Sequence, residues 1–157
     1  MIYNQEQIKE LTSFNKEQGL IVGLCHGCFD LLHIGHIRHL IAARDRCNML
    51  FVSITGDNFV NKGPDRPLIP DIERAEVVSN LKPVSGVLIN KFPTAVELLK
   101  LIQPSIYFKG QEYLYFQEKG FTEEKATAIG LGIRVDHTHE KVCSSSKIIG
   151  KLKNPSP

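Results

Sequence analysis

Apolar runs and amphipathic stretches alternate along this chain. Residues 5–17 place apolar positions at helical spacing, and 20–24, Leu-Ile-Val-Gly-Leu, form a short apolar run that predicts a first strand. A helix is expected at 35–47, then a strand at 49–54 that is continuously apolar, as strands buried on both faces are. A loop rich in Gly, Asp and Pro, 55–70, leads to a helix at 72–81, with Asp71 as N-cap and Pro70 just before it. The pattern continues as strand 84–89, helix 94–102 capped by Thr94, strand 105–108, helix 123–129, strand 132–135 and a last helix at 145–152. This rhythm predicts an α/β fold, a doubly wound parallel sheet of about five strands, Rossmann-like. One domain over 1–152 is expected, with 153–157 a tail or the start of a linker. Ligands of such sheets sit beyond the carboxyl ends of the strands, where strand order reverses. The loops after Gly27, Thr55, Phe108 and Val135 should therefore converge on one crevice.

The first of those junctions carries the densest chemistry: Cys25-His26-Gly27-Cys28-Phe29-Asp30-Leu31-Leu32-His33-Ile34-Gly35-His36. A strand ends at a glycine turn and a helix begins with two imidazoles three residues apart, which puts both rings on one face. The first turn of a helix also presents unsatisfied N–H groups and a partial positive charge, which suits phosphate. His33 and His36 are thus candidate donors to an α-phosphate that gains charge during nucleotidyl transfer, a reaction run by positioning and charge stabilisation. Gly27 would let the backbone approach phosphate closely. Asp30 could orient His33, help bind Mg²⁺ through water, or cap the helix, and the residues do not separate these.

Composition narrows the classes. A chain of 157 residues, 42% hydrophobic and 23% charged, is that of an ordinary globular protein large enough to bury a core. A net charge of +2 without a Lys/Arg stripe argues against nucleic acid. No apolar run approaches a membrane span and the polar N-terminus does not resemble a signal peptide, so a cytoplasmic protein is expected. Four cysteines do not make a disulfide scaffold. Cys25 and Cys28 form a C-x-x-C, but a zinc site would need a second pair. Only Cys47, Cys143, His137 and His139 remain for it, with no second C-x-x-C among them. A thioredoxin-like pair would open a helix, whereas this one falls at a strand end. Buried, inert thiols and no protein-held metal are expected.

Further candidates lie on the other loops. Lys62, in the loop after the second strand, could neutralise the triphosphate or the acceptor's phosphate. Arg74 could do similar work or only pair with Asp71. Lys109-Gly110 places a strand-end cation beside a permissive glycine, for nucleobase or substrate contact. Ser144-Ser145-Ser146 precedes an apolar helix and could both cap it and offer hydroxyl and amide groups to the β- and γ-phosphates.

The run from Gly27 to His36 resembles the H-x-G-H signature of the cytidylyltransferase-like nucleotidyltransferases. Arg66-Pro67-Leu68-Ile69-Pro70, Glu73 to Val78, Leu81 to Val84, Pro93 to Leu99, Phe108-Lys109-Gly110 and Cys143 to Ile149 resemble the bacterial heptose-1-phosphate adenylyltransferase (ADP-heptose synthase) type. The resemblance implies a Rossmann-like enzyme that joins a nucleoside triphosphate, with Mg²⁺, to a sugar phosphate. The products would be an NDP-sugar and pyrophosphate. It implies catalytic roles for His33, His36 and Lys62. Gly27, Cys28, Phe29, Asp30, Gly35, Lys109, Gly110 and Ser144 to Ser146 would contact the nucleotide, and Arg74 and Glu112 the acceptor. A homodimer is also expected.

Two departures bear on the acceptor: Lys109-Gly110-Gln111-Glu112-Tyr113 stands for Lys-Gly-Gly-Asp-Tyr, and three serines stand for Ser-Thr-Thr. The alternative is a CTP-dependent cytidylyltransferase acting on glycerol phosphate, phosphocholine or a phosphonate, which would share every catalytic residue. His-Ile-Gly-His with a later Ser-Ser-Lys is also similar to class I aminoacyl-tRNA synthetases, but the chain has no room for a tRNA-reading domain. A nucleotide-binding module without turnover is the non-enzymatic alternative.

Overall fold

The computed structural model describes residues 1–114, 119–139 and 149–150. Its elements run α1 Gln5–Glu17, β1 Val22–Gly27, α2 Ile34–Arg44, β2 Met49–Thr55, α3 Asp71–Ser79, β3 Gly86–Asn90, α4 Val96–Ile102, β4 Ile106–Gly110, α5 Lys119–Gly130 and β5 Arg134–Thr138. Short 3₁₀ turns cover Asp57–Phe59 and Gln111–Leu114. The expected last helix lies outside the described residues, apart from 149–150, which are helical.

The five strands form one sheet in the order β3-β2-β1-β4-β5, every pair parallel. The chain reverses its direction of travel between β1 and β4, so the crevice of this α/β sheet opens beyond Gly27 and Gly110. Both faces are covered, which explains why the strands read as unbroken apolar runs. Successive side chains alternate between two cores. Cys25, Leu50, Val52, Ile54, Val87 and Phe108 pack with Leu40, Ala43, Ala75 and Val78 of α2 and α3. Val22, Leu24, Phe51, Leu88 and Tyr107 pack with Ile8, Leu98, Leu99 and Ala128 of α1, α4 and α5.

Two close approaches show how tightly the layers meet. A Cβ at Gly23 would sit 2.7 Å from the Phe108 ring, and one at Gly86 would sit 2.5 Å from the Tyr3 ring. The Tyr3 contact belongs to a chain start that covers the edge of β3: Ile2 bridges Val87, and the Tyr3 N–H donates to the Val87 carbonyl at 2.8 Å. Asn4 and Gln7 then close a reciprocal capping box that starts α1.

Several boundaries differ from expectation. Helix α3 begins at Asp71 with Pro70 as N-cap, and the Asp71 carboxylate instead accepts the Asp57 N–H at 3.1 Å. Helix α4 has Ala95 as N-cap, although the Thr94 hydroxyl still accepts the Val96 N–H at 3.4 Å. Strands β1, β4 and β5 run two or three residues past their last expected apolar position, into His26-Gly27, Lys109-Gly110 and Asp136-His137-Thr138. No helix among the described residues is long and apolar enough to cross a membrane.

Candidate active site

The turn after β1 is built around a half-buried pair of histidines. His33 is not in the helix but is its N-cap, in extended backbone (φ −143°), and His36 is the third helical residue. Each ring supplies the other's missing backbone bond. His33 Nδ1 accepts the His36 N–H and His36 Nδ1 accepts the His33 N–H, both at 3.4 Å. This is the reciprocal geometry of a capping box with imidazoles in place of hydroxyl and carboxamide. It stacks the rings, centroids 3.8 Å apart and 18° from parallel. An Nδ1 that accepts an N–H carries no proton, so the neutral ring holds its hydrogen on Nε2. His36 stays neutral at pH 7: desolvation, then the charges of His33, Lys62 and His39, push its pKa down to about 3. The pair therefore presents two oriented ring N–H donors at a helix N-terminus, with His36 neutral and Gly35 between the two in the first turn.

Phe29 supports this arrangement from below. It is buried, adopts φ +50°, and its ring lies 5.2 Å from the His36 ring. A Cβ at Gly27 would come within 3.0 Å of the Phe29 ring, so the glycine leaves room for the aromatic that carries His36.

Asp30 and Arg74 hold loops in place. Asp30 is almost fully buried: Oδ2 accepts from Arg66 Nε at 2.6 Å, and Oδ1 accepts from the N–H groups of Leu68 (2.8 Å) and Ile69 (3.1 Å). These bonds keep the carboxyl below its ordinary range in spite of the desolvation that would raise it. Both oxygens are thus committed to the loop before α3, and the helix cap that Asp30 could have formed is supplied by His33. Arg74 pairs with Asp57 (2.6 Å), not with Asp71. Its other donors go to the carbonyls of Ile69 (2.8 Å), Thr55 (2.8 Å) and Cys28. At 1% exposure it joins the ends of β1 and β2 to the Asp57 turn, with its guanidinium nitrogens directed to these groups.

A cavity of about 220 Å³ opens at the carboxyl edge between β1 and β4. It gathers Gly27, Cys28, Lys62 and Lys109 from the expected set, and His26, Thr94 and Glu124 in addition. Lys62 stands exposed on its rim, and its charge acts on both Cys28 and His36, which links cavity and histidine pair. Cys28 lines the cavity and is half-buried, so the expectation of buried thiols holds for Cys25 and Cys47 but not for it. Among the described residues no three His, Cys, Asp or Glu side chains come together as a metal-binding group.

On the cavity floor Lys109 Nζ pairs with Glu124 Oε2 at 2.9 Å, both side chains 5% exposed. The same oxygen accepts the Tyr107 hydroxyl at 2.7 Å, and Oε1 accepts the Ala95 N–H at 2.8 Å, which caps α4 from α5. His26 Nδ1 lies 3.0 Å from the Ser53 hydroxyl, and desolvation, then the Lys109 charge, lower its pKa to about 4. Gly110 closes β4 opposite Thr138, and Glu112 lies in the following 3₁₀ turn, its side chain outside the described part. Ser144, Ser145 and Ser146 lie outside the described residues.

A doubly wound sheet with paired imidazoles at its first strand-to-helix turn, an exposed lysine on the cavity rim and a cavity at the switch point is the arrangement in which α/β proteins bind their ligands. The comparisons name the class. Residues 24–151 match the family described as Cytidylyltransferase-like, and the chain belongs to that family; it is a nucleotidyltransferase. It is 38% identical over 114 residues to the "Bifunctional protein HldE" of Gluconacetobacter diazotrophicus, covering 71% of this chain and 24% of that protein. It is 40% identical over 117 residues to the protein of the same name in Nitrobacter hamburgensis, covering 73% of this chain and 24% of that one. The chain thus spans about a quarter of the length of these curated relatives. The fold is shared with the crystal structure of the lipopolysaccharide core biosynthesis protein from Thermoplasma volcanium GSS1. That likeness has a TM-score of 0.66 and 21% identity, and covers 79% of this chain and 100% of that one.

Proposed function

We propose that the chain condenses a nucleoside triphosphate with a sugar phosphate, giving an NDP-sugar and pyrophosphate. A phosphate oxygen of the acceptor attacks the α-phosphorus, the bond to the α–β bridging oxygen breaks, and pyrophosphate leaves with the electron pair. Mg²⁺ enters with the triphosphate as part of the substrate. His33 and His36 donate from Nε2 to the α-phosphate oxygens, and Lys62 closes over the reacting phosphates as a point charge. The similarity to HldE proteins and the resemblance to heptose-1-phosphate adenylyltransferases support the sugar acceptor.

The observation that carries the reading is the reciprocal cap, because it fixes two ring N–H donors side by side at a helix N-terminus. The test is pyrophosphate release from four nucleoside triphosphates against a panel of sugar, polyol and amino-alcohol phosphates, run on His33→Asn and His36→Asn. Asparagine Oδ1 takes the place of Nδ1 and keeps the cap, while the Nε2 donor is lost. Each variant should lose roughly 10²- to 10³-fold in kcat with an unchanged melting temperature. Near-native turnover in either would refute the assignment, and release with CTP alone would move the enzyme to the cytidylyltransferase alternative.

A further inference from the structure

The cavity between β1 and β4, about 220 Å³ among the described residues, is of a size to hold a small polar molecule. Its floor has an uncommon composition. The Lys109 ammonium stands over three aromatic rings, 4.7 Å from the centroid of Tyr113, 5.2 Å from Tyr107 and 5.5 Å from Phe121. A cage of three rings with a carboxylate is what recognises a ligand ammonium. Here the chain's own lysine fills the cage, and Glu124 has both oxygens engaged by Lys109, Tyr107 and Ala95.

We propose that this cavity is the acceptor subsite and that Lys109, held by Glu124, selects an uncharged polyhydroxylated acceptor body over an amine or quaternary-ammonium one. The inference rests on the nucleotidyl-transfer reading above and adds to it the residues that choose the acceptor. A cationic head entering the cavity meets Lys109 and, at the rim, Lys62, and among the described lining residues the one carboxylate, Glu124, is already engaged by Lys109, Tyr107 and Ala95. A hydroxyl meets complementary groups instead. An ammonium has three donors and Glu124 takes one, so Lys109 retains N–H groups for a sugar oxygen. His26 keeps Nε2 for a ligand because Nδ1 is occupied by Ser53, and as a neutral ring it can serve either polarity of hydroxyl bond. Thr94 uses its oxygen as an acceptor for Val96 and can still donate. Glu124 acts as a positioning residue: it anchors the ammonium among the rings and ties α4 to α5.

The test compares kcat/KM for sugar phosphates and glycerol phosphate with that for choline phosphate and ethanolamine phosphate. The proteins are the wild type and the double variant Lys109→Met, Glu124→Gln. The pair of changes avoids stranding a buried charge, keeps an apolar stem among the rings and leaves an oxygen for the Ala95 N–H; circular dichroism and melting establish that it folds. The wild type should favour hydroxylated acceptors on the order of 100-fold or more. In the double variant KM for those acceptors should rise about 10- to 100-fold while KM for the triphosphate stays within about twofold, and most of the discrimination against choline phosphate should vanish. Comparable use of choline phosphate by the wild type, or a folded double variant with the native acceptor KM and preference, would overturn the inference while leaving nucleotidyl transfer intact. Absence of pyrophosphate release with every acceptor would overturn both.

Discussion

Arg74→Met is the substitution that separates a structural arginine from a substrate-binding one. The side chain is 1% exposed, and its guanidinium serves the carbonyls of Ile69, Thr55 and Cys28 and the carboxylate of Asp57. Methionine fills much of the stem's volume but supplies no donor. Asp57 is 40% exposed and regains water, so its share of the loss is small. The carbonyls are different. Each sits where strand ends meet α3, and a buried acceptor left without a partner costs about 1–3 kcal/mol. With partial relaxation the sum is about 3–5 kcal/mol, the range found when one partner of a buried ionic network is removed. A domain of this size moves about 2–4 °C per kcal/mol, so the melting temperature should fall roughly 6–20 °C. Calorimetry and urea unfolding, with acceptor and triphosphate KM measured at a temperature where the variant is folded, provide the assay. A melting point within about 2 °C of the wild type, accompanied by a raised acceptor KM, would refute the reasoning and restore Arg74 as a ligand of the substrate.

Acid should destabilise the protein well above the carboxylate range. His26 and His39 are held near pKa 4 and His36 near 3, all chiefly by desolvation, against about 6.5 in the unfolded chain. The unfolded state therefore binds more protons as pH falls below 6.5, and stability drops, by about 3 kcal/mol for a histidine held near 4. Asp30 and Glu124, both lowered, lose their contribution only below about 4, so the loss between pH 6.5 and 4.5 belongs to the histidines. Urea unfolding at pH 7, 6 and 5 should show it, His39→Asn should reduce the slope, and equal stability at pH 7 and 5 would contradict it. Lys62→Ala should cost about 10²-fold or more in kcat/KM. It should also move the His36 titration upward, because the Lys62 charge is one of the groups holding it down; an unmoved His36 resonance would show that the loop does not reach the pair.

The order and type of the elements were legible because burial on both faces leaves a simple mark: unbroken apolar runs separated by amphipathic ones. The strand ends were not. Hydrophobicity reports where the cores are, whereas the ladder continues past them to the carboxyl edge, where His26, Lys109 and His137 still pair in register. Polar residues there look like loop, so each strand that carries chemistry at its tip reads as too short. Helix α5 is the converse: it starts at Lys119, four residues before the expected Glu123. Its opening Lys119-Gly120-Phe121-Thr122 carries no capping signal, and a glycine there argues against helix.

The same distinction governs the site. Lys62 and the two histidines were legible as chemistry because their environment is local, a loop and a helix start. The roles of Asp30 and Arg74 stayed open in the sequence because most of their partners lie 17 to 46 residues away, Ile69 on Arg74 being the near exception. Glu124 is not among the expected site residues, yet the sequence holds a signal for it. Lys109 is two residues after Tyr107, so both side chains point to the face covered by α4 and α5, and a lysine on a buried face requires a carboxylate from the helices above it. His33 and His36 show the remaining limit. The three-residue spacing implies neighbouring rings on a helix, and the rings are neighbours, but the cause is different: the first histidine stands outside the helix and each ring satisfies the other's backbone. The site is thus held by the same bonds that start α2, and for that reason asparagine at either position should retain the turn while removing the Nε2 donor.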